Sequence, residues 1–226
     1  MNIIKKIYWR IQWICSIRMF TYLYLNYFCK NVERESDVKI IPYKGAVINM
    51  HRTSRLILKN KNLEVGINRL KGSKTETLVR LGQGVVWQCN GGASLTYGTT
   101  IDIKRNALID SGFFFMNVGS AIVCAKKISI GDDVWMGRGV IIYDSDFHRM
   151  LDENNEIRNY PKEVCIGNHV WLTNQIMVQK GTHIGDGSVI SPFTLVREDI
   201  PAHSLNVNGT LNKVVNSDIR WSSELL

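Results

Sequence analysis

His148 ends the run Tyr143-Asp144-Ser145-Asp146-Phe147-His148, so two carboxylates stand within four residues of an imidazole. A histidine changes charge near neutral pH and can take a proton from a hydroxyl at physiological pH. A nearby carboxylate can fix the ring's orientation, as in a hydrolytic triad. Asp144 and Asp146 are both close enough in sequence for that task. The chemistry suggested is general-base activation of an alcohol. The remaining histidines, His51, His169, His183 and His203, lack such local carboxylates and are expected to be passive. The five cysteines, at 15, 29, 89, 124 and 165, form no Cys-x-x-Cys pair, so neither a disulfide framework nor a metal site is expected, and a reducing cytosol is the default.

The elements that must position His148 are legible on its C-terminal side. Residues 166–201 divide into sixes: IGNHVW, LTNQIM, VQKGTH, IGDGSV, ISPFTL, VREDIP. The first position is aliphatic throughout (Ile166, Leu172, Val178, Ile184, Ile190, Val196), and the fifth is aliphatic or small (Val170, Ile176, Thr182, Ser188, Thr194, Ile200). A period of six fits neither an α-helix nor a plain alternating strand. It fits a coil of three short strands stacked on the coil below, the hexapeptide β-helix. The same phase runs through Val118, Cys124, Ile130, Met136 and Ile142, with Ile122, Ile128, Val134 and Val140 at the fifth positions. Between the two runs, Asp146–Val164 breaks phase with charge, Asn and Pro, and reads as a loop projecting from the coil with His148 at its mouth. A zinc hydratase on such a scaffold would need three converging histidines. The gaps from His148 to His169 and from His169 to His183 are not whole 18-residue coils, which excludes it.

Upstream, residues 38–111 read as short strands and polar turns with weak phase, as early, irregular coils would. Residues 1–37 read as an N-terminal helical segment. Ile3, Ile4, Ile7, Ile11 and Ile14 nearly define one helical face, interrupted by Lys5, Lys6, Arg10 and Arg18. Those cations exclude a transmembrane span and a cleavable signal peptide. Such helices suit packing on the body or on a neighbouring subunit, or contact with an anionic membrane surface. The expected organisation is thus a helical segment over 1–37, a β-helix over 38–215 with a loop near 146–164, and a tail over 216–226. The net charge of +8 favours an acidic partner, and a location in the cytoplasm, peripheral at the inner membrane face, fits the composition. No nucleic-acid partner is expected.

The runs FFFMNVGSAIVCAKKISIGDDVWMGRGVIIYDSDFH and NYPKEVCIGNHVWL, with the following coils to DIP, resemble the hexapeptide-repeat acyltransferase family. The likeness covers roughly residues 112–215 and is nearest to the maltose/galactoside and capsular-polysaccharide O-acetyltransferases. It implies an all-β fold, a left-handed parallel β-helix, assembled as a homotrimer with acetyl-CoA as donor, no metal, and a carbohydrate acceptor. His148 matches the family's catalytic histidine, with Asp146 as the favoured orienter. Trp171 matches the tryptophan at the pantetheine end of the site, and Asn117 an active-site asparagine. Thr173, Asn174, Ser191, Pro192, Arg197 and Lys213 match CoA-groove positions. The chain departs from the family at SPFTLVREDIP, where Glu198 replaces a common lysine, and at GTLNKV in place of GNPAKV. An amine, nucleotide-sugar or xenobiotic acceptor, and an inert β-helix scaffold, are the rival readings.

Overall fold

A computed structural model describes residues 3–207 and 213–216, with backbone alone at 3, 4, 6, 7, 9–11 and 213–216. Among the described residues, short strands stack into three sheets of seven, nine and seven strands, one for each face of a triangular coil, and all but the last strand of the nine run parallel. In the coil that precedes the loop the faces carry Lys127–Ile130, Val134–Met136 and Ile141–Tyr143. The fold is the all-β, left-handed parallel β-helix expected from the sequence. From Val32–Arg34 to Leu195–Val196 each strand pairs in parallel with the coil above or below, so the backbone polar groups of the stack are satisfied without antiparallel pairing.

The six-residue phase works because both of its aliphatic positions point inward. Ile166, Leu172, Val178, Ile184, Ile190 and Val196 are all buried, as are Val170, Ile176, Thr182, Ser188, Thr194 and Ile200 at the corners. The corner hydroxyls do not stay unsatisfied. Thr182 Oγ1 donates to Gln179 O and Thr194 Oγ1 to Ser191 O, at 2.6 and 2.7 Å. In the lower coils Trp87 and Phe114 fill the interior, with ring centroids 6.4 Å apart. Val118 departs from the phase: it sits at a corner and is only half-buried.

Register explains where the phase is strong and where it fades. Cys165, Trp171 and Met177 pair with His183, Val189 and Leu195, each eighteen residues on. Ile128, Trp135 and Ile141 pair with Val164, Trp171 and Met177, thirty-six residues on, because the loop occupies a coil's worth of chain without adding a coil. Ile109 pairs with Trp87, twenty-two residues back, and Leu63 with Ala93, thirty residues on. The early coils are therefore as well stacked as the late ones, and only their corners vary in length.

The coil starts earlier than residue 38, since Val32–Arg34 already pairs with Leu56–Leu58. Before it lie an α-helix, Ile3–Ser16, a short helix, Met19–Leu23, and a π-turn, Tyr24–Phe28. Leu25 and Asn26 from that turn are buried against the first coil. Asn26 Nδ2 donates to Ile40 O and its Oδ1 accepts from Ile40 N, so one amide completes the lowest strand. At the far end Lys213–Asn216 pairs antiparallel with Leu205–Val207. The side chains of Ile3, Ile4, Ile7 and Ile11, and the tail beyond residue 216, lie outside the described residues.

Candidate active site

His148 stands where the chain leaves the third face and turns out into the loop. The exit is held by three anchors. Asp144 is fully buried, and its carboxylate accepts from Ala125 N, Lys126 N and Lys127 N, each at 2.7 Å. Phe147 N donates to Ser145 Oγ at 3.0 Å, and Phe147 takes φ +60, a left-handed conformation uncommon for a bulky residue. The loop's return is pinned by Lys162 N donating to Asp144 O, and by the Lys127–Glu163 ion pair at 2.7 Å. A non-glycine residue held at positive φ immediately before His148 indicates a backbone set by its surroundings rather than by local preference.

His148 is exposed. Its backbone N donates to Asp146 O, and its backbone O accepts from Asn159 Nδ2, both at 2.7 Å. Asn159 is buried, and its Oδ1 also accepts from Met150 N. In this structure the carboxylate of Asp146, the favoured orienter, is engaged by other side chains. Asp146 Oδ2 accepts from Lys180 Nζ at 2.5 Å and from Asn159 Nδ2 at 3.0 Å. Lys180, and after the opposing effect of burial Asn159, hold the Asp146 carboxyl below its usual range. Among the described residues no side chain hydrogen-bonds the His148 ring. What positions it is backbone, through the Asp146–Asn159–Lys180 cluster.

The other expected residues gather on a different edge. Asn117 follows Phe114–Met116 at the corner between the second and third faces, and its N donates to Met136 O. Gly137 N donates to Leu172 O, Thr173 N to Ile190 O, and Ser191 N to Asn206 O, so Asn117, Gly137, Thr173 and Ser191 form one column. Asn117 Oδ1 accepts from Val118 N, and its Nδ2 has no hydrogen-bond partner among the described residues. Gly137 must be glycine, because a Cβ there would lie 1.8 Å from Thr173 O. The Thr173 and Ser191 hydroxyls are spent on the scaffold, donating to Ile190 O and Asn206 O. What that column offers a ligand is backbone and the exposed Asn174 and Pro192; Asn174 Oδ1 accepts from Arg138 N. Arg197 is exposed one residue beyond Leu195–Val196 on the third face, and the Lys213 side chain lies outside the described residues.

Trp171 is 40% exposed on the second face, in register above Trp135, which packs on Phe115 with centroids 5.2 Å apart. Trp135 Nε1 donates to Asp133 Oδ1, and Asp133 Oδ2 lies 2.6 Å from His169 Nδ1. His169 thus has a carboxylate partner that is not local: it lies thirty-six residues away in sequence and one coil away in space. Sequence reading also misses Asn159 and Lys180. A polar residue in a loop of charges carries no local signal, and Lys180 is singled out only by the stacking of its corner over the loop exit. Cys89 and Cys124 are buried and held as thiols: burial pushes the Cys89 thiol up to about 12, and burial followed by Asp144 raises Cys124 further. No cluster of three His, Cys, Asp or Glu side chains suited to a metal ion occurs among the described residues.

No protein-family model matches the chain. The galactoside O-acetyltransferase of Escherichia coli K12 is 33% identical over 108 residues, 47% of this chain and 49% of that protein. The polysialic acid O-acetyltransferase of Escherichia coli O1:K1 is 29% identical over 128 residues, 56% and 39% of the two chains. The chain thus spans about half or less of the length of these curated relatives. Among solved structures, the polysialic acid O-acetyltransferase OatWY superposes with a TM-score of 0.62 at 22% identity, over 86% of this chain and 92% of that one. The N-acyltransferase AntD of Bacillus cereus, solved with dTDP and 3-hydroxybutyryl-CoA, gives 0.55 at 13% identity, over 90% of each. The sequence relatives are the O-acetyltransferases that the motifs resemble, and the fold is shared along nearly the whole chain.

Proposed function

We propose that this chain transfers an acetyl group from acetyl-CoA to a hydroxyl of a surface carbohydrate, a capsular, exopolysaccharide or lipopolysaccharide glycan. The observation that carries the reading is His148, exposed and presented by a backbone fixed at Phe147, Asp146 and Asn159. His148 takes the acceptor proton while the oxygen attacks the thioester carbonyl. The tetrahedral oxyanion is met by the Asn117 Nδ2 donor; one such donor is worth about 3–4 kcal/mol in the barrier. Collapse breaks the C–S bond, and the CoA thiolate recovers the proton from the imidazolium. Trp171, Asn174 and Pro192, with the backbone at Thr173 and Ser191, line the CoA side, and Arg197 and Lys213 supply cations toward its phosphates.

His148 and the Asn117 column leave the coil at two different corners. Packing of three copies would bring the loop of one subunit to the column of the next, and this supports a homotrimer with sites between subunits. His148→Ala tests the mechanism: transfer from labelled acetyl-CoA should fall about 100- to 10,000-fold while the oligomer persists by light scattering. Unchanged transfer would sink it. An ester product is released by mild alkali and an amide is not, which separates a hydroxyl acceptor from an amine; absence of CoA binding would leave the inert scaffold.

The N-terminal segment supports contact with an anionic membrane. Residues 1–30 hold five cations, Lys5, Lys6, Arg10, Arg18 and Lys30, and no carboxylate. Phe20, Tyr24, Tyr27 and Phe28 are exposed at helical spacing, Phe20 by 91% and Phe28 by 72%. Aromatic residues beside cations, with no acidic neighbour, match the chemistry of an anionic lipid interface. No described helix is long and apolar enough to cross the bilayer.

A further inference from the structure

The turn 68–76 lengthens the second coil at the corner between the second and third faces, and it borders an open cavity of about 440 Å³. Lys44, Arg69 and Lys71 line it together with Tyr43, Asn68 and Ser73, and no carboxylate residue lines it. Arg69 is the telling residue. Its Nη2 donates to Ser73 O, which fixes the guanidinium, yet its Nε is buried with no hydrogen-bond partner among the described residues. Three cations around one pocket, with no carboxylate lining it, offer an excess of charged donors that an anion satisfies. Gly45, at φ +90, is what admits the side chain: a Cβ there would come within 3.3 Å of Arg69 Nε.

The cavity's place in the stack gives it a role. Tyr97 N donates to Ile67 O and Gly119 N to Gly98 O, so residues 68, 97–98 and 117–119 occupy one corner in successive coils. Asn117 thus stands two coils above the turn that carries Arg69, roughly 10 Å along the axis at strand spacing. The same edge continues upward through Gly137 to Thr173 and Ser191. We propose that this cavity is the acceptor's anion subsite, holding a carboxylate or phosphate of the glycan while a hydroxyl further along the chain lies at Asn117. The proposal rests on the acetyl-transfer reading for the words "acceptor" and "hydroxyl", and on the cavity alone for the anion.

Binding separates the two. N-acetylneuraminic acid, its methyl ester and inorganic phosphate would be titrated into the full chain by calorimetry, and again into Lys71→Glu, Lys44→Glu and Arg69→Gln variants whose melting temperatures match the parent. Lys44 and Lys71 are exposed, so their reversal leaves the fold intact even if Arg69→Gln does not. Expected are binding of the free acid or of phosphate, at least tenfold weaker binding in each charge-reversed variant, no measurable binding of the ester, and unchanged CoA affinity. Preference for the free acid over phosphate would assign a carboxylated sugar, the reverse a phosphorylated one. Equal binding of acid and ester, undiminished binding in the Lys71→Glu variant, or no binding of either anion would overturn the subsite. Anion binding with this pattern in a chain that acetylates nothing would leave the subsite standing and remove the transfer reading.

Discussion

Lys180 Nζ lies 2.5 Å from Asp146 Oδ2, and the two residues are thirty-four apart in the chain. Lys180 belongs to the corner that follows Met177–Val178, and Asp146 to the corner one coil below, where the loop begins. Lys180 Nζ also reaches Asn159 O at 3.2 Å, on the returning arm of the loop. One ammonium therefore ties both arms to the coil above, and His148 sits between them.

Lys180→Met and Asp146→Asn should each lower kcat/KM for acetyl transfer by about 10- to 100-fold, since misplacing a reacting group by about 1 Å can cost that much. Stability should hardly move, because a partly exposed ion pair contributes about 0–1 kcal/mol. The double variant should be no worse than the poorer single one, as expected for residues acting through one contact. Additive losses in a double-mutant cycle would mean that the two act independently.

The same pair makes the loop sensitive to acid. Asp146 is depressed in the folded chain, so its contribution is complete above the unfolded aspartate value near ~4 and is lost as pH falls through the lower folded value. Between neutrality and that point, proteolytic cleavage within 149–158 should stay slow, and it should accelerate below it. Lys180→Met should abolish the dependence. Cleavage that varies with pH equally in both proteins would place the trigger elsewhere.

The periodicity that names this fold is clearest where a coil takes eighteen residues, as from Cys165 to His183. Corners of other lengths shift the phase without disturbing the stack, which is why Trp87 and Ile109, twenty-two apart, look unrelated in sequence and are neighbours in the sheet. The loop hides contacts in the same way. Asp133 with His169, and Asp146 with Lys180, each join residues more than thirty apart, and only the register across the loop pairs them. His148 is legible because its own segment breaks the pattern. Its positioning is not, because Asn159 acts on backbone and leaves no spacing to read.

Gly137 gives a test of the column that joins Asn117 to Thr173. The Cβ of Gly137→Ala would meet the Thr173 carbonyl oxygen at 1.8 Å and Asn174 Oδ1 at 2.7 Å, so the backbone must shift. Overpacking of this kind costs about 1–3 kcal/mol, and here it would also displace the corner proposed to receive CoA. The variant should melt earlier and bind CoA at least tenfold more weakly. Gly119→Ala is the control for strain alone: that glycine has φ +77 but no atom closer than 3.9 Å to the added Cβ, so the variant should lose stability while keeping most CoA affinity.

The exposed aromatic stripe of the N-terminal segment should bind anionic bilayers. Sedimentation with vesicles of phosphatidylglycerol and phosphatidylcholine at low salt should carry the full chain down, and vesicles of phosphatidylcholine alone should leave it in solution. Raising the salt toward 0.5 M should weaken the interaction, since the Debye length falls from about 10 Å at 0.1 M toward 3 Å at 1 M. Phe20→Ser with Phe28→Ser should reduce binding, because both rings are exposed and their loss removes apolar contact while leaving the cations in place. The same double variant should leave oligomer mass unchanged. A fall in mass together with unaltered vesicle binding would identify the stripe as a contact between copies of the chain instead.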